Sequence, residues 1–266
     1  MKILIICVTY NSYDNLLSFL LSVDKSTLRS ECEVSVIVAD NSDQKDFCKQ
    51  KKDFLNIKVD YLNFPNLGYF GSAFSVINNM ESLNFYDYIM ITNVDLNLDE
   101  SFFLELSKIQ KDNSIGWIAP DIISLSTNTH HNPYRTKRIT KKSLSILAFL
   151  YKHPILLYLY QNTLHFLKVR KRSFINERGE IYAGHGSCFI FSQKFLSERQ
   201  FTSYPCFLFG EEIFIAEELK KVKMTTWYEP SLKVYDYDHV STSKMKKKHY
   251  YNENLKSVIF LRNKYF

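Results

Sequence analysis

Tyr86-Asp87-Tyr88-Ile89-Met90-Ile91-Thr92-Asn93-Val94-Asp95 is the stretch whose reading decides the fold. An apolar run stops abruptly in an Asn-x-Asp turn, the profile of a buried strand that delivers a carboxylate to its C-terminal tip. Open α/β sheets bind ligands outside the carboxyl ends of their strands, so Asp95 would meet a metal ion or a phosphate-bearing ligand there. Alone, the stretch reads more readily as a solvated turn, because Asn and Asp favour turns for backbone reasons. Its neighbours in sequence decide between the two.

Residues 2–8 form a continuous apolar, β-branched run and read as a buried strand. The turn Thr9-Tyr10-Asn11-Ser12 follows, and Leu16, Leu17, Leu20, Leu21 and Val23 then recur at helical spacing. Residues 34–39 repeat the pattern as a second buried strand, ending in Asp40-Asn41-Ser42-Asp43 ahead of a short polar helix. A third strand is expected at 57–61, and the loop Phe64-Pro65-Asn66-Leu67-Gly68-Tyr69-Phe70-Gly71 leads to a helix at 72–80. Past the opening stretch come a helix at 100–111 and a strand at 116–120. Strands alternating with helices mean βαβ units and a mostly parallel sheet with flanking helices. Right-handed crossovers gather the tips 9–12, 40–43 and 93–95 at one edge. Aspartates at two tips, with an Asn at the third, describe a nucleotide-sized cleft.

A chain of 266 residues with 45% hydrophobic content buries the core of one large domain, or of one domain with an appendage. Its net charge of +6 is concentrated. Between Asp121 and Glu177 there is no acidic residue, but there are ten basic ones: Arg135, Lys137, Arg138, Lys141, Lys142, Lys152, Lys168, Arg170, Lys171 and Arg172. Without them the chain holds 24 basic and 28 acidic residues, so a mildly acidic body carries one basic segment. Lys244, Lys246, Lys247 and Lys248 form a smaller cluster. Localised positive charge points to an anionic partner: phospholipid, nucleic acid or a phosphorylated substrate. Cys7, Cys32, Cys48, Cys188 and Cys206 are odd in number and scattered, without a Cys-x-x-Cys pair, which argues against a zinc site or a disulfide framework. Cys7 and Cys188 lie in apolar runs and are expected to be buried thiols, suiting a reducing cytosol. The N-terminal apolar run is too short and wrongly flanked for a signal peptide, and no run approaches the ~18 apolar residues of a membrane span.

After Pro120 the pattern changes. Residues 124–135 are polar, and His130 and His131, like His153, read as loop or surface residues. Residues 143–167, SLSILAFLYKHPILLYLYQNTLHFL, are apolar with interspersed Tyr, broken by Pro154 and flanked by basic residues. Such pieces suit an amphipathic helix or helical pair lying in an anionic membrane interface. A hairpin packed on the main domain, or an oligomer interface, is the alternative. Nucleic acid is disfavoured, since Leu/Ile faces dominate and no recognised binding motif is present. The sheet pattern resumes over 180–192, EIYAGHGSCFIFS. Tyr204-Pro205-Cys206-Phe207-Leu208-Phe209-Gly210-Glu211-Glu212 precedes a helix at 213–221. Short strands at 224–228 and 232–235, the run Asp238-His239-Val240-Ser241 and a helix at 250–264 follow. Trp117 and Trp227 are expected in the core.

Taken in order, several motifs resemble those of glycosyltransferase family 2, whose members have the GT-A (Rossmann-like) fold. They are Val8-Thr9-Tyr10-Asn11, Asp40-Asn41-Ser42, Asn66-x-Gly68-Tyr69-x-Gly71, Asn93-x-Asp95, His185-Gly186-Ser187, Phe209-Gly210-Glu211-Glu212, and His239 with Ser241. The nearest likeness is to the rhamnosyltransferase-like bacterial members that build surface polysaccharides; it covers nearly the whole chain and is weakest over 136–172. The resemblance implies a nucleotide-sugar-binding half at 1–122, a basic/apolar helical insertion at 123–178, an acceptor-binding and catalytic half at 179–243, and a basic C-terminal helix at 244–266. It implies transfer of a sugar from a UDP- or dTDP-linked donor to a hydroxyl of a lipid-linked or growing cell-surface glycan, with inversion at the anomeric carbon. The enzyme would be cytoplasmic and peripheral at the inner face of the membrane.

The leaving group in such a transfer is a diphosphate, so a divalent cation is implied: Mn²⁺ or Mg²⁺, which take oxygen ligands. Family members carry Asp-x-Asp where this chain has Asn93-x-Asp95. A neutral amide brings no charge, which leaves Asp95 the sole carboxylate ligand of that motif and Asn93 a hydrogen-bond partner of the donor or of a metal-bound water. His239 would complete the metal or diphosphate site, or else be structural. Thr9, Tyr10 and Asn11 would line the base pocket. Asp40 would read the base or the ribose, able to accept from a uracil or thymine N–H, or else stabilise its own loop as an Asx-turn. Asn66, Gly68, Tyr69 and Gly71 would lie beside the donor, the glycines admitting close backbone approach; loop geometry alone would also explain them. Glu212 matches the general base that takes the proton of the acceptor hydroxyl, with Glu211 as runner-up, although two acids at a helix N-terminus also suit the macrodipole. His185 and Ser187 fall on the acceptor side. A nicotinamide-linked dehydrogenase fails as a rival, because the first strand is followed by Val-Thr-Tyr-Asn and not by Gly-x-Gly-x-x-Gly. A catalytically silent scaffold of the same fold, binding nucleotide or membrane, is the alternative that Asn93 and Glu212 keep open.

Overall fold

Strand β1 (Lys2–Thr9) lies inside the sheet and is apolar on both faces, with Ile3, Ile5 and Cys7 on one side and Leu4 and Ile6 on the other. Such a strand needs a layer of helices on each side. The computed structural model describes residues 1–43, 53–168, 177–237 and 245–266. β1 pairs in parallel with β2 (Glu33–Asp40) and β4 (Tyr88–Asn93), and β3 (Ile57–Asn63) runs parallel beyond β2. Helices α1 (Tyr13–Leu28) and α2 (Tyr69–Asn78) belong to the connections between these strands. The remaining strands are β5 (Leu96–Leu98), β6 (Ile115–Ser124), β7 (Gly179–Ile181), β8 (Cys188–Ser192) and β9 (Thr225–Asp236). The order is β3-β2-β1-β4-β8-β6-β9-β5, with β7 beside β9. β8 is antiparallel to β4 and β6, β9 is parallel to β6, and parallel ladders cover most of the paired residues.

Two cores follow from the two faces. One packs Leu16, Phe19 and Leu20 of α1 with Phe102 and Phe103 of α3 (Phe102–Lys108). The other is rich in aromatics: Phe70 and Phe74 of α2, Trp117, Phe189 and Phe191 of the sheet, Phe195 of α6 (Gln193–Glu198) and Phe214 of α7 (Glu211–Lys221). Each such side chain contributes about 1.5–3 kcal/mol on burial. Cys7 and Cys188 are fully buried as expected, and burial raises both thiols, Cys188 to about 12. Trp117 is in the core, whereas Trp227 is half-buried.

Several elements differ from expectation. The pattern at 180–192 is two strands, β7 and β8, on different partners. The loop between them passes tightly over the sheet at Gly184, where a Cβ would stand 2.6 Å from that of Ala119. The two short strands expected at 224–235 are one strand, β9; a register shift, with Pro120 opposite Glu229 but Asp121 opposite Lys233, absorbs Pro230. α2 starts earlier and α3 is shorter than expected, while β5 and α6 are too brief for a periodic signal. β6 runs on to Ser124, through the expected boundary at 122. The polar helix expected after Asp43 falls outside the described residues.

The basic apolar segment forms α4 (Lys141–Lys152) and α5 (Pro154–Lys168), broken where Pro154 stands. Thr140 caps α4, its side chain accepting from Ser143 N at 3.1 Å. No described helix is long and apolar enough to cross a membrane. α4 packs on α8 (Lys247–Tyr265). At the root of the hairpin, Arg138 forms a fork with buried Glu217 of α7, Nε to Oε1 at 2.7 Å and a second nitrogen to Oε2 at 2.6 Å. The same guanidinium donates to the carbonyl of Tyr265 at 3.0 Å, and Tyr182 donates to Glu217 at 2.8 Å.

Candidate active site

Parallel register places the three expected tips side by side, with Thr9 opposite Asp40 and Val8 opposite Asn93. The Thr9 hydroxyl is buried and has no hydrogen-bond partner among the described residues, a polar atom left for something else to satisfy. Asp40 is buried, accepting from Ser42 N at 2.9 Å and from the Tyr13 hydroxyl at 3.1 Å. The Asx-turn expected as its alternative role is therefore present. Asn11 is left-handed, with φ 49°, and its N–H donates to Ser42 Oγ at 2.8 Å. Tyr10 and Asn11 both donate to Asp43, at 2.9 and 3.2 Å, and the Asp43 carboxylate pushes the Tyr10 hydroxyl pKa up.

Buried Asn41 ties this tip to the glycine loop by donating to the Gly68 carbonyl at 3.2 Å and accepting from Ser72 Oγ at 2.6 Å. Gly68 has φ +78°, and a Cβ there would stand 2.1 Å from the Phe207 carbonyl oxygen. The group that approaches Gly68 is thus the chain's own backbone. Gly71 lies within α2 and packs against Leu67. Asn66 is exposed and accepts from Gly68 N at 3.3 Å.

Asp95 is 7% exposed, and its carbonyl accepts from Tyr237 N at 3.1 Å. Asn93 N donates to the Ser187 carbonyl at 3.0 Å, and the Tyr69 hydroxyl reaches that oxygen at 3.4 Å. Burial raises the Tyr69 hydroxyl well above its ordinary value, and the charges of Glu211, Asp95 and Glu212 raise it further.

Both glutamates belong to the first turn of α7, which starts two residues earlier than expected. The turn before them is left-handed at Phe209 (φ 71°) and Gly210 (φ 84°). Tyr204 holds it, its hydroxyl donating to the Phe209 carbonyl at 2.6 Å and lying 2.9 Å from Ser257 Oγ of α8. Glu211 is 6% exposed, and burial plus the neighbouring Glu212 raise its pKa to about 8. Glu212 is less enclosed. Burial raises it too, but the Arg135 guanidinium and the Gly186 N–H stabilise its charged form. At Gly186 a Cβ would stand 2.6 Å from Glu212 Oε1, so the missing side chain is what lets the backbone meet the carboxylate. The arrangement favours placing a shared proton on Glu211, leaving Glu212 the more readily ionised of the two.

His185 Nδ1 lies 3.0 Å from Ser187 Oγ. The segment expected to be a polar loop supplies its surroundings. His131 stacks on His185 with ring centroids 4.8 Å apart and approaches buried Asp236, Nε2 to Oδ2 3.6 Å. Buried Asn132 donates to the Pro120 carbonyl at 2.7 Å and accepts from His185 N at 2.8 Å. Tyr134 lies edge-on to His185 at 5.8 Å, and Glu212 is the first cause that pushes its hydroxyl up to about 12. His131, Asn132, Tyr134 and Arg135 were not expected at the site; the one signal they gave was a polar stretch directly after a strand. His239 and Ser241 lie outside the described residues. Among the described residues no group of three His, Cys, Asp or Glu could hold a metal ion. One carboxylate still fits Mg²⁺, which keeps waters and substrate phosphates as its other ligands. A groove of about 480 Å³ between α1 and the β5/β9 edge contains none of the expected residues, and its one acid, Glu100, is paired with Lys25 and Arg29.

No family model matches the chain, and no curated protein matches its sequence. Its fold is shared with solved glycosyltransferases. TarS of S. aureus aligns over 100% of this chain and 44% of its own, with a TM-score of 0.56 and 12% identity. TarS 1–349 in complex with UDP-GlcNAc aligns over 98% of this chain and 67% of its own, with a TM-score of 0.54 and 12% identity. GalNAc-T7 with UDP, GalNAc and Mn²⁺ aligns over 98% of this chain and 48% of its own, with a TM-score of 0.59 and 12% identity. The chain spans less than half the length of TarS and of GalNAc-T7. At this identity the likeness establishes the fold, a GT-A-like α/β architecture.

Proposed function

We propose that the chain is an inverting glycosyltransferase. It moves a hexosyl or rhamnosyl unit from a UDP- or dTDP-linked donor to a hydroxyl of a lipid-linked or growing cell-surface glycan, at the cytoplasmic face of a membrane. One observation carries the reading: the Gly186-Ser187 segment meets both groups, the Ser187 carbonyl accepting from Asn93 N at 3.0 Å while the Gly186 backbone lies against the Glu212 carboxylate, so the strand tip and the helix-terminal acid are neighbours. The neighbours add support, since TarS was crystallised with UDP-GlcNAc and GalNAc-T7 with UDP and Mn²⁺.

In this reading Glu212 accepts the proton of the acceptor hydroxyl as its oxygen attacks the anomeric carbon. The new C–O bond forms on the face opposite the diphosphate while the bond to the diphosphate oxygen breaks, and the nucleoside diphosphate leaves. Arg135 and the Gly186 N–H keep Glu212 ionised, and protonated Glu211 keeps the pair to a single charge. Asp40 reads the base within a pocket walled by Thr9, Tyr10 and Asn11. Asn66, Gly68, Tyr69 and Gly71 border the donor, and His185 and Ser187 orient the acceptor. Asp95, with His239, would hold Mn²⁺ or Mg²⁺, and the amide of Asn93 would hydrogen-bond the donor or a metal-bound water. A bound divalent ion neutralises charge on the departing diphosphate.

A thermal-shift screen of UDP- and dTDP-sugars with and without Mn²⁺ tests the reading, because binding raises stability by mass action. One donor is expected to stabilise the wild type only with metal, and Asp95→Ala is expected to abolish that response. Glu212→Gln should keep donor binding but lose turnover by about 10²–10⁴-fold. Asn93, in place of a second acid, favours one other reading, the catalytically silent scaffold. Equal, background-level donor hydrolysis in the wild type and Asp95→Ala would select it.

A further inference from the structure

We infer that the α4–α5 hairpin docks on an anionic lipid surface, and that the acceptor is an amphiphile held in that surface, its hydroxyl reaching Glu212 along a tyrosine-lined edge. The second half of this inference rests on the glycosyltransferase reading; the first does not.

Among the residues of the hairpin whose burial is described, packing accounts for one side only. Leu144, Ala148, Leu150 and Leu157 are buried. The other side leaves Ile155 78%, Tyr158 64%, Leu159 55% and Phe149 53% exposed. Ile155, Tyr158 and Leu159 are three and four residues apart, so they share a face of α5. Leu156 of α5 is exposed as well, and on α4 Ile146 and Phe149, three residues apart, are both exposed. An exposed apolar face of this kind on α5 marks an interaction site.

Charge selects the partner. Lys141 and Lys142 open α4 and Lys152 closes it, all three exposed, and the sequence has no acid between Asp121 and Glu177. A second copy of the chain would set the same cations against these and be repelled. A leaflet of anionic headgroups over acyl chains satisfies both the cations and the apolar side chains, with Tyr at the boundary.

Position selects the acceptor. Tyr151 is next to last in α4, which packs on α8, and Tyr134 lies edge-on to His185 with ring centroids 5.8 Å apart. Tyr250 of α8 packs on Phe209 at 5.0 Å, directly before the glutamates. These phenols border the way from the hairpin to the carboxylate, offering hydroxyls and ring faces to a sugar. An acceptor anchored in the leaflet would meet Glu212 from this side.

Flotation of the full chain with vesicles tests the inference, using phosphatidylcholine alone and phosphatidylcholine mixed with phosphatidylglycerol. The wild type is expected to float with the mixed vesicles, to float poorly with the neutral ones, and to be released as salt rises. Ile155→Glu/Leu159→Glu should lower vesicle affinity at least about tenfold while keeping the wild-type Tm and the wild-type hydrolysis of UDP- and dTDP-sugars. Failure of the wild type to float at low salt, or equal flotation of the double variant, would overturn the inference. So would a dimer in sedimentation that the double variant abolishes. Donor hydrolysis without flotation leaves the enzyme reading standing and removes this one. Flotation without hydrolysis of any donor keeps the docking surface and overturns the acceptor assignment together with the enzyme reading.

Discussion

Gly186 sets the position of Glu212. A Cβ there would intrude to 2.6 Å of the carboxylate oxygen, and the Gly186 N–H supports its charge. Gly186→Ala should lower turnover by about 10²-fold, the scale of a 1 Å misplacement, while Tm and donor affinity stay near wild type. Steady-state kinetics beside a donor titration checks this. Glu211 makes a different prediction. Its pKa is raised in the folded chain to about 8 from an ordinary 4.5, so the folded state binds that proton more tightly than the unfolded state. The resulting stability is complete below about 4.5 and lost as pH rises through about 8. Glu211→Gln keeps a neutral side chain throughout, so its Tm should gain on the wild type between about pH 5 and pH 9. A gap that stays constant across that window would show that Glu211 is not held protonated. The Glu pair, Asp95 and Asp40 were legible because each follows a buried strand or opens a helix in a recognisable motif. Arg135, Tyr134 and Asn132 were not, because a loop that folds back over a sheet carries no period in its sequence.

At the scale of elements, the long apolar runs of β1, β2 and β4 declared themselves, and their register follows from burial on both faces. Three-residue β5 and β7 and six-residue α6 are shorter than any period that could announce them. The continuity of β9 through Pro230 was hidden because the bulge that accommodates the proline depends on β6. The start of α2 is fixed by Gly68, whose φ of +78° is strained for other residues and whose missing Cβ admits the Phe207 carbonyl. Gly68→Ala should cost about 2–4 kcal/mol, from the dihedral and the displaced backbone together. Denaturant melts would show it, and donor affinity should fall as well, because that loop is pinned to Asn41 beside Asp40.

At the scale of the molecule, one sheet, nine-stranded among the described residues, separates a mainly aliphatic core from one richer in aromatics, and the aromatic-rich side carries α7, α8 and α4. Arg138 joins these layers through its fork to Glu217 and its bond to the Tyr265 carbonyl. Arg138→Met would leave buried Glu217 with Tyr182 alone among these partners. The guanidinium is partly solvated, so the loss should be about 2 kcal/mol, below the usual cost of breaking a fully buried pair. Adding Glu217→Met should recover part of it, which a double-mutant cycle would measure. That fork has a mechanical consequence. Glu212 and Glu217 stand on one helix, five residues and about 7.5 Å apart along its axis. A helix is stiff over that length, so it acts as a lever with the hairpin's root at one end and a carboxylate at the other. A tilt of the hairpin is geared to the place where a proton would be taken.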